Sequence, residues 1–292
     1  MEIHVEELFF WDPILLAGTP FEINRVVLLM FLASIVCVAF FLIGARNQSA
    51  VPRGIGLMAQ EAYFFVRNNI AIDVIGREGI GYAPYLAALF YFIFFSNLLE
   101  IVPGINFPVT SRMAIPAALA ALTYVIFIVV GVRAHGLGYF KDVLFPPGVP
   151  KLVYILLTPI ELFSTFVIRP LTLAIRLLAN MMAGHVLLTI FFLFTQAFII
   201  DNVATMFSEG ISIGALLGIP LGIVTFLVAC LLIIFELLVI SIQAYIFTML
   251  TAFYIAESLH GAHEEDDDHT QGHEEEGGPE PIGETEGVKQ AA

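Results

Sequence analysis

Two stretches of hydrocarbon-rich sequence carry side chains able to hold or move a proton. Residues 159–185, PIELFSTFVIRPLTLAIRLLANMMAGH, set Glu161, Arg169, Thr172, Arg176, Asn180 and His185 among aliphatic neighbours. Residues 236–257, ELLVISIQAYIFTMLTAFYIAE, do the same with Glu236, Gln243, Tyr254 and Glu257. An arginine keeps its proton in any protein environment, so it acts as a fixed cation that favours an anion beside it. Histidine and carboxylate side chains exchange protons near neutral pH when their surroundings shift them. Ionisable groups in apolar segments are costly and by default mark an ion path.

Helical phase sorts these residues. At about 100° per residue, Asn180 lies about 40° from Arg176, Thr172 about −40°, Arg169 about 20° and Glu161 about −60°, provided that Pro170 leaves the phase intact. His185 falls about 180° away, on the opposite face. In the second stretch Gln243 follows Glu236 by about 20° and Tyr254 follows Gln243 by about 20°. With Glu257 three residues later, they make one polar stripe about 30 Å long.

Each residue also has an ordinary structural explanation. An isolated charge can belong to a structural ion pair or reach along the helix to its end. Tyr254 suits a membrane interface, and Glu257, at a helix end, can simply be solvated. A phase-locked set is harder to derive from packing alone. Arg176 has no acidic residue one turn away, so its counter-charge must come from Glu161, Glu236 or another chain. A buried Glu236 needs a partner, and His185 can act as donor or cation, so a His185–Glu236 pair in a wet cavity is expected.

The elements that position these groups must be membrane helices. The chain has 292 residues, 59% hydrophobic and only 13% charged, with a mean hydropathy of +0.91. Soluble domains carry roughly 25% charged residues. Apolar runs long enough to span a bilayer, about 20 residues, fit 26–45, 79–99 and 113–132. Residues 51–78 mix charges with aliphatic and aromatic residues and read as an interfacial amphipathic helix. Pro/Gly-broken loops are expected at 103–112 and around Pro146, Pro147 and Pro150.

The two polar stretches lie in longer apolar segments, 152–200 and 210–256. The second would be about 70 Å long as a straight helix, against a hydrocarbon core of about 30 Å. Either each segment turns within the membrane or each is a long, steeply tilted helix. Pro159 and Pro170 can bend the first, and Gly218, Pro220 and Gly222 can break the second near its start.

Of the net charge of −14, a balance of −10 comes from residues 264–292, with eleven acidic side chains and one lysine. This Gly/Pro-containing tail reads as disordered. Its histidines, His260, His263, His269 and His273, read as solvated rather than metal-binding, because nothing fixes a coordination geometry. No basic patch suggests a nucleic-acid partner. Cys37 and Cys230 lie far apart in apolar runs, so neither a disulfide nor a reactive thiol is expected. The N-terminal MEIHVEELFFWDP lacks a basic region before an apolar stretch, so no cleavable signal peptide is expected. Without a phosphate-binding loop the chain is not expected to hydrolyse nucleotides itself.

Arg46, Arg53, Arg67 and Arg77 lie between the first two spans, and Arg133, Lys141 and Lys151 follow the third. The connection between spans two and three has only Arg112, and the loop 201–209 has no basic residue. The positive-inside rule then puts the first and third connections in the cytoplasm and the N-terminus outside. If each long segment crosses once, the acidic tail is inside.

At these residues the chain resembles subunit a of the F-type ATP synthase membrane sector, the ATPase A chain family. The family pattern R-P-x-S/T-L-x-x-R-L-x-x-N-M-x-A-G-H/E is filled throughout 169–185, and E/H-x6-Q-A-F/Y-I-F throughout 236–247. A weaker similarity covers 96–122, SNLLEIVPGINFPVTSRMAIPAALAAL. One departure stands out: where many relatives have Asp and then Asn after the T-S of the second loop, this chain has Arg112 and Ala114. Proton uptake then falls to other groups, such as Glu100.

The resemblance implies an all-α integral membrane protein with about five crossing helices and an interfacial amphipathic helix, the last two crossings long and strongly tilted. It implies an outside segment 1–25, a transmembrane domain 26–257 and a disordered cytoplasmic tail 258–292, in a bacterial inner membrane. Arg176 would face a rotating ring of c subunits. Asn180, His185, Glu236 and Gln243 would line an outer proton path, and Glu161, Thr172, Tyr254 and Glu257 an inner one. Partners would be the c ring, b-type peripheral stalk subunits, the remaining synthase subunits, membrane lipid and the carried ion, H+ or Na+. No cofactor or metal is implied. A stand-alone ion-coupled transporter uses similar intramembrane charges, but no internal repeat of the kind found in transporters is present. A structural scaffold would not need the polar stripes.

Overall fold

The computed structural model describes residues 24–46, 53–102, 105–136, 138–144, 153–209 and 213–260, and every regular element among them is helical. Most of the N-terminal segment, the Pro146–Pro150 loop and the acidic tail from 261 onward, with His263, His269 and His273, lie outside the described residues. Four described helical runs are long and apolar enough to cross a membrane.

α1, Arg25–Arg46, is capped by Asn24, whose side-chain oxygen accepts a 3.1 Å hydrogen bond from the Val27 N–H. Such a cap satisfies an amide that the first helical turn leaves unpaired. α2, Ile55–Val66, widens into π turns over Arg67–Ile75. This is the segment expected as amphipathic. Val66, Ile70, Ala71 and Ile75 join the core, whereas Ile55, Leu57 and Met58 stay exposed.

α3, Ala83–Leu98, is shorter than the expected span 79–99. A tight turn at Arg77–Gly81 takes the first residues. Gly79 lies directly against the Ala71 carbonyl, where a Cβ would collide, and this contact reverses the chain before the helix begins. At 16 residues α3 is about 24 Å long, less than a full hydrocarbon core. α4, Ala114–His135, spans 22 residues, and the short α5, Gly138–Leu144, folds back on it, with the Tyr139 ring against Gly131.

Both long segments are continuous helices rather than hairpins. α6 (Tyr154–Phe163), π turns (Ser164–Ile168), α7 (Arg169–Thr195), π turns (Gln196–Asp201) and α8 (Asn202–Glu209) follow one another without interruption. The Ser164–Ile168 π turn ends immediately before Arg169-Pro170, and a widened turn accommodates the hydrogen bond a proline cannot donate. α9, Ile213–His260, runs through Pro220 unbroken and includes the first residues of the expected tail. Its glycines serve close approach rather than a break: Gly218 packs on Asn202, and Gly222 on Phe198 and Ile199. The Tyr154–Met206 run has 53 residues, about 80 Å, so it exceeds a bilayer core more than twofold.

α7 and α9 pack antiparallel, with Arg169 meeting Glu257 and Gly184 meeting Glu236. Leu173, Ala174 and Leu177 of α7 and Ala244, Phe247 and Ile255 of α9 share one core with Leu86, Phe90 and Ile93 of α3 and Phe127 of α4. Small residues such as Ala244, Ala252 and Ala256 bring the backbones close, which favours association where packing rather than water release drives it. Thr248 and Thr251, fully buried, donate back to the carbonyls of Ala244 and Phe247 and so need no partner across the interface.

Candidate functional site

α7 separates its polar groups as the phase argument requires. Leu173, Leu177, Met181 and His185 are buried, whereas Thr172, Ile175, Arg176, Ala179 and Ala183 are exposed. Asn180 lies between the two classes. Among the described residues Arg176 makes no hydrogen bond or ion pair, although Tyr254 is within its electrostatic reach. Its stripe is otherwise apolar, apart from Thr172 one turn earlier. The Thr172 hydroxyl donates to the Ile168 carbonyl at 2.8 Å and to that of Arg169 at 3.1 Å.

One polar cluster forms on the N-terminal side of Arg176. The Arg169 guanidinium binds the Glu257 carboxylate through both of its terminal nitrogens, Nη2 to Oε1 at 2.8 Å. The same guanidinium lies 5.4 Å from the Tyr254 ring centre, a cation–π contact. Glu161 lies within its electrostatic reach. The π turn at Ser164–Ile168 adds about one residue, or about 100°, to the phase of everything before it, which moves Glu161 from about −60° to about 40° and keeps it on the face of Arg169. Beside this cluster the Tyr139 and Ser258 hydroxyls lie 3.2 Å apart.

A second cluster forms on the C-terminal side. His185 is buried, its Nδ1 3.6 Å from Glu100 Oε1, with the Phe107 ring edge-on at 5.8 Å. Glu100 is 1% exposed. The Glu236 carboxylate, also buried, fills the space that a side chain at position 184 would occupy, and it interacts electrostatically with Glu100. Gln243 is buried two turns further along α9. Both oxygens of Glu100, Oε1 of Glu236, Nε2 of Gln243, Oγ of Ser96 and Nδ2 of Asn97 lack a hydrogen-bond partner among the described residues. Left dry, each would cost about 1–3 kcal/mol. Such a concentration of unsatisfied donors and acceptors suits water and exchangeable protons, not a closed structural network.

Residues 27–256 match the family model described as ATP synthase A chain. The chain is 40% identical to ATP synthase subunit a of Rhodococcus erythropolis, over 89% of this chain and 91% of that protein. It is 40% identical to ATP synthase subunit a of Frankia alni, over 87% and 84% of the two chains. The corresponding protein of a Parafrankia species is 41% identical, over 90% and 86%. The chain belongs to the ATP synthase A chain family.

The residues singled out from sequence fall into two groups around Arg176. His185 and Glu236 gather on one side; Glu161, Tyr254 and Glu257 gather on the other, with Thr172 and Asn180 one turn from Arg176 in either direction and Gln243 two turns along α9 from Glu236, towards Tyr254. Two partnerships differ from the sequence reading. His185 Nδ1 approaches Glu100 Oε1 at 3.6 Å, while the Glu236 carboxylate lies against the neighbouring Gly184. Glu257, expected on the inner path with a solvated helix end as the alternative, is held by Arg169. An acid at the end of an apolar run reads as solvated, and only the turn that follows α3, with the Glu100 N–H bonded to the Asn97 carbonyl, brings Glu100 into the interior. The Arg169–Glu257 pair had a faint signal, since the two residues stand at matching ends of helices that must run antiparallel.

Proposed function

We propose that this chain is the stator subunit of an F-type ATP synthase ion channel, in which Arg176 couples proton passage to rotation of a ring of carboxylate-bearing c subunits. The observation that carries the reading is the exposure of Arg176 on an apolar helix face without a paired counter-charge among the described residues. An arginine at the centre of a bilayer costs about 2.5–3.5 kcal/mol on insertion scales, so this placement calls for an acidic partner on another chain. A carboxylate arriving beside a fixed cation is biased towards its charged form by about 1–3 pKa units. A ring carboxylate therefore releases its proton to one half-channel on meeting Arg176, takes a proton from the other before it leaves, and stays protonated while it faces lipid.

Two aqueous half-channels deliver and remove that proton. The outer one runs through Asn180, His185, Glu236 and Gln243, and the inner one through Glu161, Thr172, Tyr254 and Glu257. Arg176 lies between them and blocks direct leakage, so ions pass only as the ring turns. Neither path needs a cofactor, and the chain's part is non-catalytic. The charge distribution orients the N-terminus outside and the C-terminus in the cytoplasm of a bacterial inner membrane. The b-type stalk subunits hold the chain against the ring.

Arg176→Ala tests the reading. In membrane vesicles the variant complex should assemble and lose ATP-driven proton pumping and ATP synthesis completely. Normal coupled pumping would sink it.

A further inference from the structure

We infer that Phe107 is a positioning residue for the outer path, an aromatic wall that fixes the orientation of the His185 imidazole, and that Arg25 holds the segment bearing it in place; this rests on the half-channel reading above. The last side-chain torsion of a histidine has broad, roughly two-fold preferences, so packing must decide which ring nitrogen faces which neighbour. The titratable groups gathered there are Glu100, after α3, and Glu236 of α9, against Gly184. They come from different elements, so a turned imidazole would no longer present Nδ1 to one side and Nε2 to the other. The Phe107 ring stands edge-on to the imidazole, with 5.8 Å between ring centres and 74° between planes. It is 2% exposed, so it has little room to move aside. An edge-on ring of this kind is a favoured aromatic contact and obstructs rotation of its neighbour.

The local chain aims the wall. The N–H groups of Ile105 and Asn106 both donate to the Val102 carbonyl at 3.2 Å. Asn106 then adopts the left-handed conformation, φ 48°, which asparagine tolerates better than most side chains. Pro108 follows Phe107, and a residue before proline favours extended backbone. The Phe107 ring is buried in a separate apolar cluster with Val26, Leu29 and Ala33 of α1. Met182 and Val186, which flank His185 on α7, pack against the same cluster. Arg25 ties this segment down, because its Nη2 donates to the Ile105 carbonyl at 2.7 Å across 80 residues of chain. Arg25 opens α1, so the seating of the first helix sets the place of the wall.

The test is passive proton conduction under an imposed potential, measured against pH in vesicles that carry the assembled complex after removal of the soluble sector. Phe107→Leu fills most of the space but has no ring edge. The variant should conduct about two- to tenfold more slowly, the weight of an edge-on aromatic contact, and its pH profile should be displaced. A role in packing alone would leave the profile of this apolar replacement where it was. Arg25→Ala should displace the profile in the same sense and less far, and Arg25→Lys, still able to donate to a carbonyl, should restore it. A parent-like rate and profile in assembled Phe107→Leu would overturn the inference. If Phe107→Leu does not assemble, the two Arg25 variants decide, and an unmoved profile in Arg25→Ala overturns it. His185→Ala in the same vesicles separates this failure from that of the reading beneath it. Lost conduction there, beside a parent-like Phe107→Leu, leaves the half-channel reading standing and removes the wall. Normal conduction in His185→Ala means that the half-channel reading itself has failed.

Discussion

The two polar clusters on either side of Arg176 use the same residue types to opposite ends. At Arg169 a guanidinium engages both oxygens of Glu257 and covers the Tyr254 ring, so charge and hydrogen bonds are satisfied within the chain. At His185 two carboxyl groups and an imidazole come together, and three buried carboxyl oxygens have no hydrogen-bond partner among the described residues. A closed ion pair fixes geometry and ties the C-terminal end of α9 to the start of α7. An open cluster holds protons and water at low cost to their exchange. The comparison teaches that buried charge can serve two ends within one chain, and that the state of satisfaction of its polar atoms tells a fixed pair from an open one.

The largest effect should come from the open cluster. Glu236→Gln should reduce ATP-driven pumping at least tenfold in vesicles while assembly, judged by co-purification of the complex, is unchanged. The exchange His185→Glu with Glu236→His should recover more pumping than either single change, because it preserves one acid and one imidazole beside Gly184. Recovery no better than that of the single variants would mean that the cluster depends on particular positions rather than on paired charges.

Breaking the closed cluster should act mainly on stability. Arg169→Gln strips Glu257 of its cation, and since the two side chains are 24% and 28% exposed, the loss falls between that of surface and buried pairs. A loss of about 1–2 kcal/mol is expected, visible as a lower unfolding temperature in detergent. Pumping should fall two- to fivefold. Unchanged stability together with abolished pumping would erase the distinction between the clusters and make Arg169 a conducting group.

The smallest effect belongs to Thr172→Val. The hydroxyl already serves the Ile168 and Arg169 carbonyls of its own helix, and the exposed position tolerates the change. Pumping within twofold of the parent is expected. A tenfold loss would show that the inner path depends on this hydroxyl itself and not only on the space it lines.

Much of the candidate site was legible in the chain because helical phase is a local property. The separation of Arg176 from His185, and the alignment of Glu236, Gln243, Tyr254 and Glu257, follow from about 100° per residue. Glu161 kept its face for a reason the sequence did not show: the π turn before Pro170 rotates it about 100° past Arg176, from one edge of the stripe to the other. The start of α3 was misjudged because Gly79 belongs to a turn against Ala71, a contact between residues that hydropathy treats as one apolar run.

By itself, then, the sequence determined that the chain is helical and membrane-bound, which faces of its last two helices are polar, and to which family it is similar. Composition and a 3.6-residue period are enough for that. The tertiary structure decided who meets whom. It carried the long helices through Pro159, Pro170 and Pro220 without a hairpin, and it paired Arg169 with Glu257. It also brought Glu100 to His185 across 85 residues of chain. Those contacts join segments remote in sequence, and they depend on helix crossing and on the close approach allowed at Gly184, which no local pattern encodes.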